Sequence, residues 1–223
     1  RAERVLVLGA DDVTTDAMLE WIASGFLAAG AATTASKVEE AALPFDRRRH
    51  GMIIGMGAVG LLLERAEQAD ARGVTPIAEL LATRVANSAF HGSRLDAGHI
   101  AAEVDSLVQE VSGLERISPE AMAARTVFMS HETYTPARGG SAGAEIAALR
   151  KAFRGGASQV LVANTKGFTG HAQGAGIEDA VVLKALQHQV VPPIPNLKEP
   201  DPDLGDLRLS PGGSARVDYG LRL

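Results

Sequence analysis

Short continuous apolar runs alternate along the chain with stretches whose apolar residues recur every three or four positions. Arg4–Ala10 (RVLVLGA) is an apolar run closed by glycine, the pattern of a buried parallel strand. Asp-Asp and Thr-Thr pairs then give turn and cap signals ahead of a helix over Ala17–Ala29, with Met18, Trp21, Ile22 and Phe26 on one face. Residues 30–43, small and mixed with polar ones, read as a surface connection, and Pro44 with Gly51 frames a turn through PFDRRRHG. Met52–Leu63 is too interrupted by glycine for a helix and reads as a buried strand with a bend. Glu64–Arg72 has helical composition, and the partial alternation of Pro76–Ala89 tilts it toward a strand.

In the second half, Ile100, Val104, Leu107, Val108 and Val111 predict a helix over Ala97–Val111. Ser118-Pro119-Glu120 is a helix start, with a capping hydroxyl, proline at the first position and an acid in the first turn. Thr126–Ser130 reads as a strand ending at His131, Ser141–Phe153 as an amphipathic helix, and Gln159–Ala163 as another buried strand. His171–Gln187 reads as a helix, VVPPIPN as extended because of its prolines, and Leu207–Leu209 and Ala215–Tyr219 as short strands. Strand–helix alternation with buried strands implies an α/β fold, without internal repeats or an interdomain linker.

Composition narrows the function. The net charge of −5 is spread along the chain without a basic stripe, which argues against nucleic acid as a partner. With no cysteine, the chain holds no disulfide, no cysteine-ligated zinc and no thiol nucleophile, in keeping with a reducing cytoplasm. No run reaches the roughly 18–20 apolar residues of a membrane span. The opening Arg in place of Met points to a chain that begins inside a larger product.

Two histidines follow predicted strands, where α/β folds gather their sites: His131 in HETYT and His171 in KGFTGH. A helix starting at His171 would keep its imidazole neutral, because the helix N-terminus disfavours added positive charge. Two neutral imidazoles aimed at one oxygen form an oxyanion hole.

These motifs resemble those of the ketosynthases, which carry His-Gly-Thr-Gly-Thr and later Lys-x-x-x-Gly-His. The resemblance extends to PFDRRRHGMIIGMGAVGLLLE upstream, VVPPIPNLKEPDPDL downstream and RVLVLGADD at the start, and so runs through essentially the whole chain. It implies a thiolase-like αβαβα layered fold, with about 1–75 ending the first half and about 76–223 forming most of the second. It also implies a β-ketoacyl synthase of a fatty-acid or polyketide pathway, cytoplasmic and dimeric, without metal or directly bound cofactor. The partners would be the remainder of the ketosynthase domain and an acyl carrier protein bearing phosphopantetheine. By this resemblance His131 and His171 stabilise an enolate, Lys166 pairs with Glu178 (or Asp179), and Thr133 and Thr135 contact the phosphopantetheine arm.

The departures from the family's pattern point to a rival reading, a silent or decarboxylase-only ketosynthase-like scaffold. Glu132 and Tyr134 replace two glycines, which predicts a rerouted loop and a narrower tunnel for the arm. Met56 stands where the family has Glu, and the nucleophilic cysteine is absent. A thiolase-type degradative enzyme fits less well, since it would use a second cysteine. His50, His91, His99 and His188 lack metal-ligand spacing, and Arg47-Arg48-Arg49 reads as a solvated turn ahead of a carrier-docking patch.

Overall fold

The structure is a computed structural model that describes residues 2–13, 15–89, 95–135 and 140–223. Its first part contains β1 (Arg4–Asp11), α1 (Asp16–Ala28), α2 (Val38–Ala41), β2 (Gly57–Glu64) and α3 (Ala66–Ala71). Contrary to the parallel pattern expected, β1 pairs antiparallel with β2, from Arg4↔Glu64 to Asp11↔Gly57. Neither strand is buried: Leu6, Leu8 and Leu62 lie exposed, because no layer of the described residues covers this two-stranded sheet. Of the apolar face expected on α1, Phe26 packs against Ala42, Met52 and Tyr134, whereas Trp21 faces solvent.

Three other expectations for this part are corrected. The strand expected over Met52–Leu63 begins only at Gly57; Met52 and Ile54 instead form single bridges to Ala32 and His171. Pro76–Ala89 is not a strand: it finds no ladder partner, and Val85 is fully exposed. The supposed surface connection 30–43 is partly core, since Ala41, Ala42 and Leu43 are buried and the Asn196 amide donates to the Ala42 carbonyl at 2.9 Å.

The second part is built on α4 (Ala97–Glu115), α5 (Pro119–Ala123), β3 (Thr126–Met129), α6 (Gly140–Phe153), β4 (Leu161–Ala163), α7 (Lys166–Thr169) and α8 (Ile177–His188). The remaining strands are β5 (Val190–Pro193), β6 (Arg208–Leu209), β7 (Pro211–Ser214) and β8 (Tyr219–Arg222). The Ser118 hydroxyl caps α5 as expected, accepting from the Ala121 N–H, and the Asp96 carboxylate caps α4, accepting from the His99 N–H. Four parallel strands form a sheet in the order β6-β4-β3-β8, while β5 and β7 make a separate antiparallel pair.

Strand alternation splits the core into two layers. Phe128, Val162 and Leu221 pack with Val104 and Val108 of α4 and Ile146 and Leu149 of α6. Val127, Met129, Leu161 and Ala163 face the other way, onto Val182 and Ala185 of α8. The contact of α8 with β8 is close, since a Cβ on Gly220 would lie 2.3 Å from a Val182 methyl.

Two further boundaries differ from expectation. The segment before β4 is a 3-10 turn over Arg154–Gln159, so that strand starts at Leu161 and not Gln159. The expected strand Ala215–Tyr219 is displaced to β8, because the Gln189 side chain takes the Val217 backbone bonds a neighbouring strand would need (2.9 and 2.7 Å).

Candidate active site

The site begins where β3 and β4 leave the sheet at adjacent ends. The Ser130 N–H still donates to the Ala163 carbonyl at 2.9 Å, and the chain then turns out at His131. Glu145, on the buried face of α6, holds this turn, accepting from the Ser130 hydroxyl at 2.5 Å and the His131 N–H at 2.7 Å. Burial pushes the Glu145 carboxyl up to about 7 against those two donors. Asn164 ties the two strand ends together, its amide donating to the Glu132 carbonyl at 2.8 Å and its oxygen accepting from the Lys166 N–H at 2.9 Å.

His171 is held by backbone. Its N–H donates to the Ile53 carbonyl at 2.8 Å, and its own carbonyl accepts from the Gly55 N–H at 3.1 Å. This approach requires glycine: a Cβ on Gly55 would sit 2.0 Å from the Thr169 carbonyl oxygen, and Gly170 adopts φ 68° against Gly55. The helix expected from His171 does not start there. The turn Lys166–Thr169 precedes it, and α8 begins only at Ile177.

The two imidazoles meet edge to face, with ring centroids 5.2 Å apart. Both are half-buried and neutral near pH 7, His131 held down to about 3 and His171 to about 4. Burial is the first cause in each case, followed by the charge of Lys166. The neutrality anticipated from a helix terminus therefore has a different origin.

Lys166 is buried and pairs with Glu178, on the first turn of α8, through Oε1. Asp179 does not take this place; it faces Arg222 at 3.6 Å. Burial raises the Glu178 carboxyl, but the bond from Lys166 and the neighbouring charges outweigh it and hold the group below its usual range. Thr133 is buried and Thr135 half-buried, with their hydroxyls 3.4 Å apart.

The two glycine replacements are absorbed into the core. Tyr134 stands at φ 48° with its ring fully buried among Ala42 and Met52, and its carbonyl accepts from the Gly51 N–H at 3.0 Å. Glu132 is fully buried 3.7 Å from Arg49, whose Nη1 reaches Asp201 at 2.5 Å. Neither Glu132 oxygen has a hydrogen-bond partner among side chains, and burial pushes the carboxyl up to about 8. The solvated arginine turn is corrected in part: Arg47 is exposed, but Arg48 chelates the buried Asp46, and Arg49 is half-buried with its side chain only 8% exposed.

Sequence reading passed over Glu145, Asn164 and Arg222. Glu145 had a signal, since it lies three and four residues from Ala142 and Leu149 on an apolar stripe. The other histidines stay outside the site: His50 bonds the Thr33 hydroxyl at 2.8 Å, His99 begins α4, His188 ends α8, and His91 lies outside the described residues. Among the described residues, no group of three or more His, Asp or Glu side chains is placed to hold a metal, and no helix is long and apolar enough to cross a membrane.

Residues 126–198 match the family described as beta-ketoacyl synthase, C-terminal domain. The chain is 32% identical over 225 aligned residues to the 3-oxoacyl-[acyl-carrier-protein] synthase 2 of Vibrio harveyi, covering 97% of the chain and 50% of that relative. Among solved structures it resembles a type II polyketide ketosynthase in complex with its acyl-carrier protein (TM-score 0.85, 27% identity, all of this chain and 53% of the other). It also resembles a beta-ketoacyl synthase from Burkholderia phymatum STM815, with TM-score 0.79, 26% identity and 97% and 50% coverage. The chain thus spans about half the length of the relatives it matches, and its α/β architecture is part of their thiolase-like fold. With the two-histidine motifs and the fold in agreement, the chain belongs to the β-ketoacyl synthase family, of which it carries the C-terminal portion.

Proposed function

We propose that this chain supplies the decarboxylating, enolate-stabilising side of a β-ketoacyl synthase site, acting on thioesters borne by an acyl carrier protein. The observation that carries the reading is the His131–His171 pair, two neutral imidazoles on separate backbone anchors with centroids 5.2 Å apart. Each presents an N–H, and the thioester oxygen of a malonyl-type extender accepts from both. The bond between the extender's α-carbon and its carboxylate breaks, carbon dioxide leaves, and the electron pair becomes an enolate on that oxygen. The enolate carbon then attacks an acyl carbonyl held on a cysteine that this chain does not contain. A carbon–carbon bond forms and the cysteine thiolate departs.

Fixed donors favour this step because they meet negative charge that grows on the oxygen in the transition state and is absent from the ground state. Neutrality matters as well, since the uncharged rings need no deprotonation before turnover. Lys166, paired with Glu178, supports the pair by keeping positive charge beside the rings. Thr133 and Thr135 offer hydroxyls to the phosphopantetheine arm. In this reading residues 1–75 complete the first half of the layered domain, residues 76–223 belong to the second, and the whole domain works as a homodimer. The carrier protein as partner is supported by the relatives, whose names and complexes include one.

The test is carbon dioxide release from malonyl carrier protein by the complete protein. His131→Ala and His171→Ala should each slow it by about 10²–10³-fold, the effect of losing one oxyanion donor. Unchanged release would sink the assignment. The isolated chain should form no condensation product.

A further inference from the structure

The charges around the histidines do not end with Lys166 and Glu178. Arg222 is the last residue of β8, level with Met129 of β3 in the parallel register, two residues before His131. Gly220 lets α8 press onto β8, which brings the first turn of that helix over the end of the strand. There Arg222 Nη2 lies 3.4 Å from Glu178 Oε2, while Lys166 Nζ occupies Glu178 Oε1. The carboxylate bridges two cations from different elements, one on each oxygen.

We infer that Arg222 is a positioning residue of the two-histidine site, holding the second oxygen of Glu178 so that the Lys166–Glu178 pair stays fixed beside the imidazoles. This rests on the reading of His131 and His171 as neutral donors. With one oxygen tied only to Lys166, Glu178 could rotate about its own side chain; with both tied it cannot. Arg222 also adds a second cation to the Lys166–Glu178 pair. Asp179 faces the guanidinium at 3.6 Å, but its side chain is 43% exposed and its charge is screened by solvent. Guanidinium Nε and Nη1 are buried and make no hydrogen bond among the described residues, Nε meeting Asp179 only at 3.6 Å. The other groups facing the cluster are Glu145 from α6, whose burial favours its protonated form, and Asp11 beside His171. The excess positive charge works in one direction on both imidazoles, against protonation.

The test uses the complete protein, selectively labelled at Glu, His and Arg for NMR. Arg222→Gln should move the Glu178 carboxyl midpoint upward by about one pH unit, and the His171 midpoint upward with it. Arg222→Lys, which keeps the charge, should restore both. A residue that only stabilises the fold would lower the melting temperature and leave these midpoints alone; unmoved midpoints in Arg222→Gln overturn the inference. Independently of that variant, the wild-type Arg222 Nη protons should be resolved and slow to exchange, and should become averaged in Glu178→Gln. Averaged signals already in the wild type would also overturn it. If the histidine substitutions leave carbon dioxide release unchanged while Arg222→Gln still moves Glu178, the functional reading fails and the positioning role stands.

Discussion

Replacing Glu132 by Gln should stabilise the protein near neutral pH, although the side chain of Arg49 lies 3.7 Å from the Glu132 carboxylate. The side chain is entirely enclosed, neither oxygen has a hydrogen-bond partner among side chains, and Arg49 stands off at 3.7 Å while engaging Asp201 at 2.5 Å. Burial, with the nearby Glu145 carboxyl, wins over the backbone N–H groups of Tyr134 and Phe45 and the distant Arg49, and the carboxyl rises from 4.5 to about 8. The folded value is the higher one, so the folded state holds its proton longer. The associated stability is fully present below about 4.5 and is lost as pH rises through about 8. That interval corresponds to about 5 kcal/mol, of which about 3 is gone by pH 7. Gln mimics the protonated acid and carries no such loss. In urea denaturation between pH 4.5 and 9, Glu132→Gln and wild type should agree within about 1 kcal/mol at the acid end. The variant should lead by about 3 kcal/mol at pH 7. A difference independent of pH would refute the reasoning. A variant less stable at pH 7 would mean that Arg49 keeps Glu132 charged.

Lys166→Met should cost about 3–5 kcal/mol in the same assay, because it leaves a buried carboxylate with only the longer contact to Arg222. Gly55→Ala should separate the 53–55 segment from the 169–171 turn, since its methyl would meet the Thr169 carbonyl; amide exchange at His171 should accelerate, and unchanged protection would contradict the packing described. Phe128→Ala should cost about 3–5 kcal/mol by opening a cavity between the sheet and the layer of α4 and α6, and a loss below about 1 kcal/mol would count against that core.

The parts of this molecule that sequence reading captured are those decided locally. The cap of α5, the amphipathic helix after HETYT and the short apolar β3 each follow from residues within a few positions of one another. The misreadings involve distant partners. Gln189 displaces β8 by taking the bonds of Val217, a contact across 28 residues of chain. The antiparallel pairing of β1 with β2 depends on a partner some 50 residues on, whereas an apolar run specifies only that a strand forms.

The candidate site divides in the same way. His131 and His171 stood out because each sits in a short motif, and Lys166 with Glu178 because the family pattern pairs them. Glu145 reaches the site only because α6 folds back over β3, and Arg222 only because Gly220 admits α8 to β8. The fate of the two replaced glycines was equally hidden. Tyr134 and Glu132 turn into pockets made by residues 42–52, which no local pattern connects to the HETYT loop.

The central claim is that His131 and His171 act on one oxygen, and a double-mutant cycle on carbon dioxide release tests it most directly. Donors sharing one developing charge behave as a unit, so the double Ala variant should be scarcely slower than the more damaged single variant. Losses that multiply across the two positions, or a single substitution without effect, would contradict it.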